Sequence, residues 1–235
     1  MHVTRVDRFR EQANPTAMNV LIDDSNSMAK LREAGLVIAT LNQIMIPSLY
    51  GVNKEERGLL RISLGAFSDG KIHSLTRAPG YYTLQELMSN PLTNDRLGRP
   101  GLDEGTALYA SMISGIKSAR DAALTIQRQS GYNVINAQVI VITDGANCTE
   151  NRTTPADVAR IIRDFGPSVE FKVKLRVSLV YFETGAGLKR SQFEHMTKEC
   201  GLELSNCHFW ADYDKDFGSQ EKAFRRLIKL LSKRR

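Results

Sequence analysis

The sequence lacks the marks of several protein classes. Its three cysteines (Cys148, Cys200, Cys207) are too few and too scattered across 235 residues for a disulfide framework. An odd count also fits a reducing compartment. No window approaches the ~20 consecutive apolar residues that a membrane helix requires. The first fifteen residues, MHVTRVDRFREQANP, are basic without an apolar run behind them, so they do not read as a secretory signal. The expected location is the cytoplasm, with no membrane span. No internal repeat is visible, and no Pro- or Ser-rich linker divides the chain. At 42% apolar and 25% charged residues, the composition is that of a soluble globular protein, not a disordered one.

An excess of one charge is also missing from most of the chain. The net charge is +6, but residues 221–235 hold seven of the 32 basic residues and one of the 26 acidic ones. The rest balances at 25 of each sign. The excess is a property of one terminal segment, EKAFRRLIKLLSKRR, not of a basic body.

What is present is an alternation of strands and helices. MNVLID (18–23) is a short apolar run that stops at acid, as a strand buried on both faces does. Ala34, Ile38, Leu41 and Met45 then recur at helical spacing, with Ser27 as a candidate cap and Pro47 as the expected end. Leu60, Ile62, Leu64 and Ala66 alternate in a second strand. The Asp69-Gly70 turn leads to a third at 71–76, and 84–88 reads as a turn or two of helix. Residues 90–105 are rich in Pro, Gly, Asn and Asp and read as loop. A long helical face runs from Leu108 through Ile126, and 137–143 (AQVIVIT) is the strongest strand signal. Thr154-Pro155-Ala156-Asp157 opens the next helix with a capping box. A strand at 173–182, a helix at 189–200, a strand at 208–211 and a helix at 219–232 complete the chain. This order predicts an α/β fold. The expected architecture is a doubly wound, mostly parallel six-stranded sheet with one antiparallel edge strand and helices on both faces. The expected organisation is an N-terminal extension (1–16) and a single domain (17–235).

In open parallel sheets, ligands bind beyond the carboxyl ends of the strands, where strand order reverses. Three segments fall at such ends: Asp23-Asp24-Ser25-Asn26-Ser27, Asp103-Glu104-Gly105-Thr106 and Thr143-Asp144-Gly145. Each brings small hydroxyls or carboxylates to one rim. Magnesium takes oxygen ligands in near-octahedral geometry and needs only one or two protein carboxylates. Asp23, Ser25 and Ser27, with Thr106 and Asp144 closing the ring, are the candidate ligands for Mg2+ or Mn2+. An ion held by so little negative charge keeps affinity for one more anionic oxygen. Asp24, Asn26, Asp69, Glu104 and Gly145 are expected around this rim.

Asp23-x-Ser25-x-Ser27, Gly105-Thr106 and Thr143-Asp144-Gly145 together resemble the metal-ion-dependent adhesion site of von Willebrand factor A (vWA) domains. The resemblance covers residues 17–231, and Ala66-Phe67-Ser68-Asp69 is similar to the usual end of the second strand. It implies a Rossmann-like vWA fold and binding without turnover, so no catalytic residue is assigned. It further implies a partner protein that offers a Glu or Asp side chain to the metal. Small stand-alone members of the family suggest an adaptor in stress-resistance or phage-defence systems, beside an AAA+ ATPase or a kinase/phosphatase system.

Other readings of the residues are weaker. Gly65 to Lys71 matches most of a phosphate-binding loop, but Ile72 stands where Ser or Thr is needed and a strand follows. Asp24 could mimic the nucleophile of haloacid-dehalogenase-like magnesium-dependent phosphohydrolases, except that Asn26 replaces their second aspartate. His2, His73, His195 and His208 show no metal-ligand spacing. The apolar stripe of the last helix suits a covering helix with a solvated basic face. Its Arg225, Arg226, Lys229, Lys233, Arg234 and Arg235 also suit an acidic protein, nucleic acid or anionic lipid.

Overall fold

The computed structural model describes residues 14–25, 28, 35–50, 58–68, 71–97, 106–145, 153–165, 172–182 and 188–210. Among these, six strands form one sheet. They are β1 (Thr16–Asp23), β2 (Leu60–Ser68), β3 (Lys71–Ser74), β4 (Val134–Thr143), β5 (Lys172–Phe182) and β6 (Cys207–Trp210). Their order is β3-β2-β1-β4-β5-β6, with β3 antiparallel to β2 and every other pairing parallel. The doubly wound sheet with one antiparallel edge strand is therefore observed. Successive connections leave β1 in opposite directions, so strand order reverses between β1 and β4.

Both faces of the sheet are buried, and the two-residue period of each strand divides its side chains between two cores. On one face Val20 and Ile22 of β1 and Ile140 and Ile142 of β4 meet Ile38, Leu41 and Met45 of the first helical segment. On the other, Ala17, Leu21, Val139 and Val141 meet Met112, Ile116 and Ala119 of the long helix. This is why the ends of β1 (20–22) and β4 (139–142) read as unbroken apolar runs.

The helices are α1 (Leu36–Thr40), α2 (Ile46–Tyr50), α3 (Leu84–Ser89), α4 (Leu108–Ser130), α5 (Pro155–Asp164) and α6 (Arg190–Glu199). The capping box predicted for α5 is formed. The Asp157 amide donates to Thr154 Oγ1 at 3.3 Å, and the Thr154 amide donates back to Asp157 Oδ2 at 3.0 Å. A second box, Thr83 with Glu86, opens α3.

The first helical segment differs from its expected course. Pro47 does not end it: a π-helical turn, Leu41–Met45, joins α1 to α2, which carries the chain past Pro47 to Tyr50. The Ile46 amide donates to Leu41 O, five residues back. The wider turn redirects the hydrogen bonds just ahead of Pro47, where the absent N–H and the ring would break a regular α-helix. The side chain of Asn42, inside this turn, clamps the segment leading toward residue 106. Its Nδ2 donates to Leu92 O at 2.8 Å, and its Oδ1 accepts from the Leu92 amide at 3.0 Å.

β1 starts at Thr16, inside the expected N-terminal extension, and the Asn136 amide donates to Pro15 O at 2.8 Å. The expected basic helix at 219–232 lies outside the described residues, as does most of that extension. No helix among the described residues is long and apolar enough to cross a membrane.

Candidate metal centre

The crevice at the strand-order reversal is bounded by the ends of β1 and β4. The last paired residues there are Ile22 and Ile142, so Asp23 and Thr143 emerge side by side. Asp23 Oδ2 accepts from Thr143 Oγ1 at 2.5 Å and from Thr106 Oγ1 at 3.3 Å. Asp23 Oδ1 accepts from the Ser25 amide at 2.9 Å, the local turn that an Asp side chain makes with the backbone two residues on. The Gly145 amide donates to Thr143 Oγ1 at 3.0 Å and closes the β4 end of the cluster. Asp23, Asp24, Ser25, Thr106, Thr143 and Asp144 are each no more than 3% exposed.

Asp23 is a carboxylate drawn into the protein, and its hydrogen-bond donors among the described residues are neutral. Burial pushes its carboxyl above the ordinary 3.8, against the opposing effect of hydrogen bonds from Thr143, Ser25 and Thr106. The desolvation cost of the charged form exceeds what these dipoles return. A cation beside it would reverse the balance.

Thr106 does not serve as an ordinary helix cap. α4 starts at Leu108 behind Ala107, without a side-chain cap, and the Thr106 hydroxyl turns to Asp23. The amino-terminal end of α4 thus lies close behind the cluster and favours negative charge there. Gly145 is held equally close. A Cβ at this position would stand 2.7 Å from Thr106 Oγ1 and 3.4 Å from Asp23 Oδ2. Only a glycine lets the backbone after β4 approach the other two segments.

The structure therefore brings Asp23, Ser25, Thr106 and Gly145 together. Asp144 is buried between Thr143 and Gly145, both of which belong to the cluster. Ser27, Asn26, Asp69, Glu104 and the basic residues Arg225, Arg226, Lys229, Lys233, Arg234 and Arg235 lie outside the described residues. So does the start of the segment that leads into α1.

Asp24 is a correction. It does not face outward at the rim but is buried, with Oδ2 3.7 Å from His73 Nε2 on β3. The alternation of β1 continues one residue past its end, which turns Asp24 to the sheet face opposite Asp23. His73 Nε2 is 2.9 Å from Arg96 O, so it carries the proton there. Its Nδ1 and Ser68 Oγ are buried without hydrogen-bond partners among the described residues. Asp24 and His73 thus form a second polar pair, buried at Asp24.

The sequence places Thr143 in the third rim segment without a ligand role; in the structure its hydroxyl is the donor that orients Asp23 Oδ2.

The donor chemistry fits a hard cation. Among the described residues no three His, Cys, Asp or Glu side chains come together. The groups that meet here are carboxylates and hydroxyls, the oxygen donors that suit Mg2+ or Mn2+ better than zinc. Such a cation would be held by Asp23, Ser25, Thr106 and Asp144.

No family model and no curated protein matches the chain. Solved structures do. Over 93% of its length the chain is similar to proximal thread matrix protein 1 from the mussel byssus, at 14% identity and a TM-score of 0.57, covering 46% of that protein. It is similar over the same share to the pilus adhesin SpaC from Lactobacillus rhamnosus GG in its open conformation. There the identity is 13%, the TM-score 0.59 and the coverage 30% of that chain. The chain thus spans less than half the length of either protein. The vWF domain of the type V pili tip protein Mfa5 from Porphyromonas gingivalis matches at 12% identity and a TM-score of 0.52, covering 93% of this chain and 95% of that one. At these identities the likeness shows the fold alone, a von Willebrand factor A-like sheet with helices on both faces.

Proposed function

We propose that the protein is a divalent-metal-dependent binding module that captures an acidic side chain of a partner protein. The observation that carries this reading is the shared use of one carboxylate. Asp23 Oδ2 accepts from hydroxyls contributed by residues 83 and 120 positions away in sequence. Such convergence of oxygen donors at a strand-order reversal is costly to maintain for packing alone. It is useful if an ion sits there.

In this reading Asp23 and Asp144 supply the negative charge, while Ser25, Ser27 and Thr106 supply neutral oxygens. Two carboxylates and three neutral oxygens leave an octahedral dication with an open coordination position for one more oxygen. A Glu or Asp of the partner completes its coordination, helped by the start of α4. The chain's own residues bind and orient, and none is assigned a bond-breaking step. A cytoplasmic adaptor role, beside an AAA+ ATPase, a kinase/phosphatase pair, or a stress-resistance or phage-defence system, belongs to the same proposal. A partner is expected to need both Mg2+ (or Mn2+) and an accessible acid.

The test is a magnesium titration of chelator-treated protein, followed by thermal midpoint and by partner capture. At a magnesium concentration a hundred times the dissociation constant, binding to the folded form alone stabilises by about 2.7 kcal/mol. Asp144→Ala should lose both the thermal shift and the magnesium-dependent capture. An unchanged midpoint in the native protein would count against the ion, and capture that persists in chelator would count against its role. The phosphohydrolase alternative needs an accessible nucleophile, whereas Asp24 is buried beside His73.

A further inference from the structure

Two carboxylates stand at the end of β1, and only one of them faces the metal crevice. The Asp24 amide donates to Phe67 O at 2.8 Å, so the ladder with β2 continues one residue past Asp23. Strand alternation then sends the Asp24 side chain to the face opposite Asp23. There Asp24 is 3% exposed, with Oδ2 3.7 Å from His73 Nε2. That separation is too long for a hydrogen bond, so the contact is one of charge and dipole.

The sheet register places His73 to hold this carboxylate. His73 stands on β3 opposite Ala66 of β2, and Ala66 is itself paired with Ile22 of β1. To reach Asp24 the imidazole crosses β2 over a methyl group, from a strand two spacings of about 4.8 Å each away from β1. Its Nε2 donates to Arg96 O at 2.9 Å, which fixes the ring with that N–H on the side of Asp24. Its Nδ1 is buried and meets no acceptor among the described residues, so a second proton there would be stranded. The ring is therefore neutral, and the pair keeps the negative charge of its carboxylate.

A buried charge at this position acts on an ion in the crevice. Adjacent Cα atoms are about 3.8 Å apart, so Asp24 stays near the crevice although it points away from it. Burial also leaves it little screened by salt. We propose, on the metal reading above, that Asp24 is a non-coordinating counter-charge of the metal site and that His73 is its positioning residue. Asp24 adds attraction for a dication without taking a coordination position, so the position offered to a partner's acid stays open. It also favours ions of higher charge, because Coulomb energy scales with the product of the charges.

The test is isothermal titration of the chelator-treated full chain with Mg2+ and, separately, with Tb3+. Asp24→Asn keeps the size and removes the charge, and it should weaken Mg2+ binding about ten-fold or more. On a logarithmic scale its loss for Tb3+ should be about 1.5 times its loss for Mg2+, the ratio of the two ionic charges. A local distortion would weaken both ions alike. His73→Leu should weaken Mg2+ binding with the same charge ratio, which keeps the test open if Asp24→Asn does not fold. His73→Gln retains an N–H for Arg96 O and Asp24 and should restore the native affinity. The Asp24→Asn/His73→Leu double variant should bind no more weakly than Asp24→Asn alone, since His73 acts through the carboxylate. Equal losses for the two ions, or no loss, would overturn the counter-charge, and additive losses would overturn the role of His73. Native protein that binds neither ion would sink the metal reading itself, whereas native binding with unaffected variants would sink this proposal alone.

Discussion

Thr143 Oγ1 donates to Asp23 Oδ2 at 2.5 Å, tying the last residue of β4 to the last residue of β1 across the strand-order reversal. The bond orients the carboxylate and offsets part of its burial. Thr143→Val keeps the shape and removes the donor. The expected cost is about 1–3 kcal/mol, the penalty for under-satisfying a buried acceptor. Thr143→Ser should recover most of it. Urea unfolding in chelator measures that cost, and a magnesium titration should show weakened metal response in the valine variant only.

The burial of Asp23 predicts a pH dependence with a definite sign. A carboxyl whose folded pKa is raised above 3.8 stabilises the fold below its unfolded pKa. That contribution is lost as pH rises through the raised value. In EDTA, wild-type protein should therefore lose stability from acid toward neutral pH relative to Asp23→Asn, which lacks the titrating group. Magnesium should restore the wild type at neutral pH and leave the asparagine variant unmoved. Thermal midpoints of both proteins across this range decide the matter; parallel curves in EDTA would assign the slope to other carboxyls.

Much of the fold was legible because β1 and β4 are apolar on both faces and end abruptly at Asp23 and at Thr143-Asp144. Strand ends and the β1–β4 reversal then place Asp23, Thr106 and Gly145 together, since parallel strands point their carboxyl ends one way. What stayed hidden depended on tertiary detail. Pro47 reads as a helix stop until the π turn at Leu41–Met45 is seen to absorb it. Asp24 reads as a rim residue unless the alternation of β1 is carried past its last paired position.

Gly145→Ala tests how tightly the three segments are drawn together. Its Cβ would lie 2.7 Å from Thr106 Oγ1, closer than real Cβ contacts allow, so Thr106 or the β4 end must move. Overpacking of this kind costs about 1–3 kcal/mol. Adding Thr106→Ala removes the obstructing oxygen and should return most of the stability. Neither variant should regain magnesium-dependent stabilisation, because the hydroxyl is displaced in one and absent in the other. A double-mutant cycle on unfolding free energy should show a favourable coupling between the two substitutions; strict additivity would mean that the segments are not in contact.

The long helix meets the sheet at Gly115, and there two effects oppose each other. Alanine would favour α4 by about 1 kcal/mol through helix propensity. The same Cβ would stand 2.7 Å from Leu21 Cδ1 and 3.2 Å from Val139 Cγ1, both on buried strands. Forcing these apart costs about 1–3 kcal/mol, so the net effect of Gly115→Ala should be destabilising. Leu21→Val in the same chain makes room and should recover part of the loss. The consequence reaches the candidate metal site because Thr106 lies two residues ahead of α4 and its hydroxyl is already 3.3 Å from Asp23 Oδ2. A helix lifted by a few tenths of an ångström would lengthen that bond beyond use. Gly115→Ala is therefore expected to weaken magnesium binding without touching a ligand, and Leu21→Val to restore binding together with stability. If urea unfolding shows the loss while magnesium titration is unchanged, the helix and the site are mechanically independent.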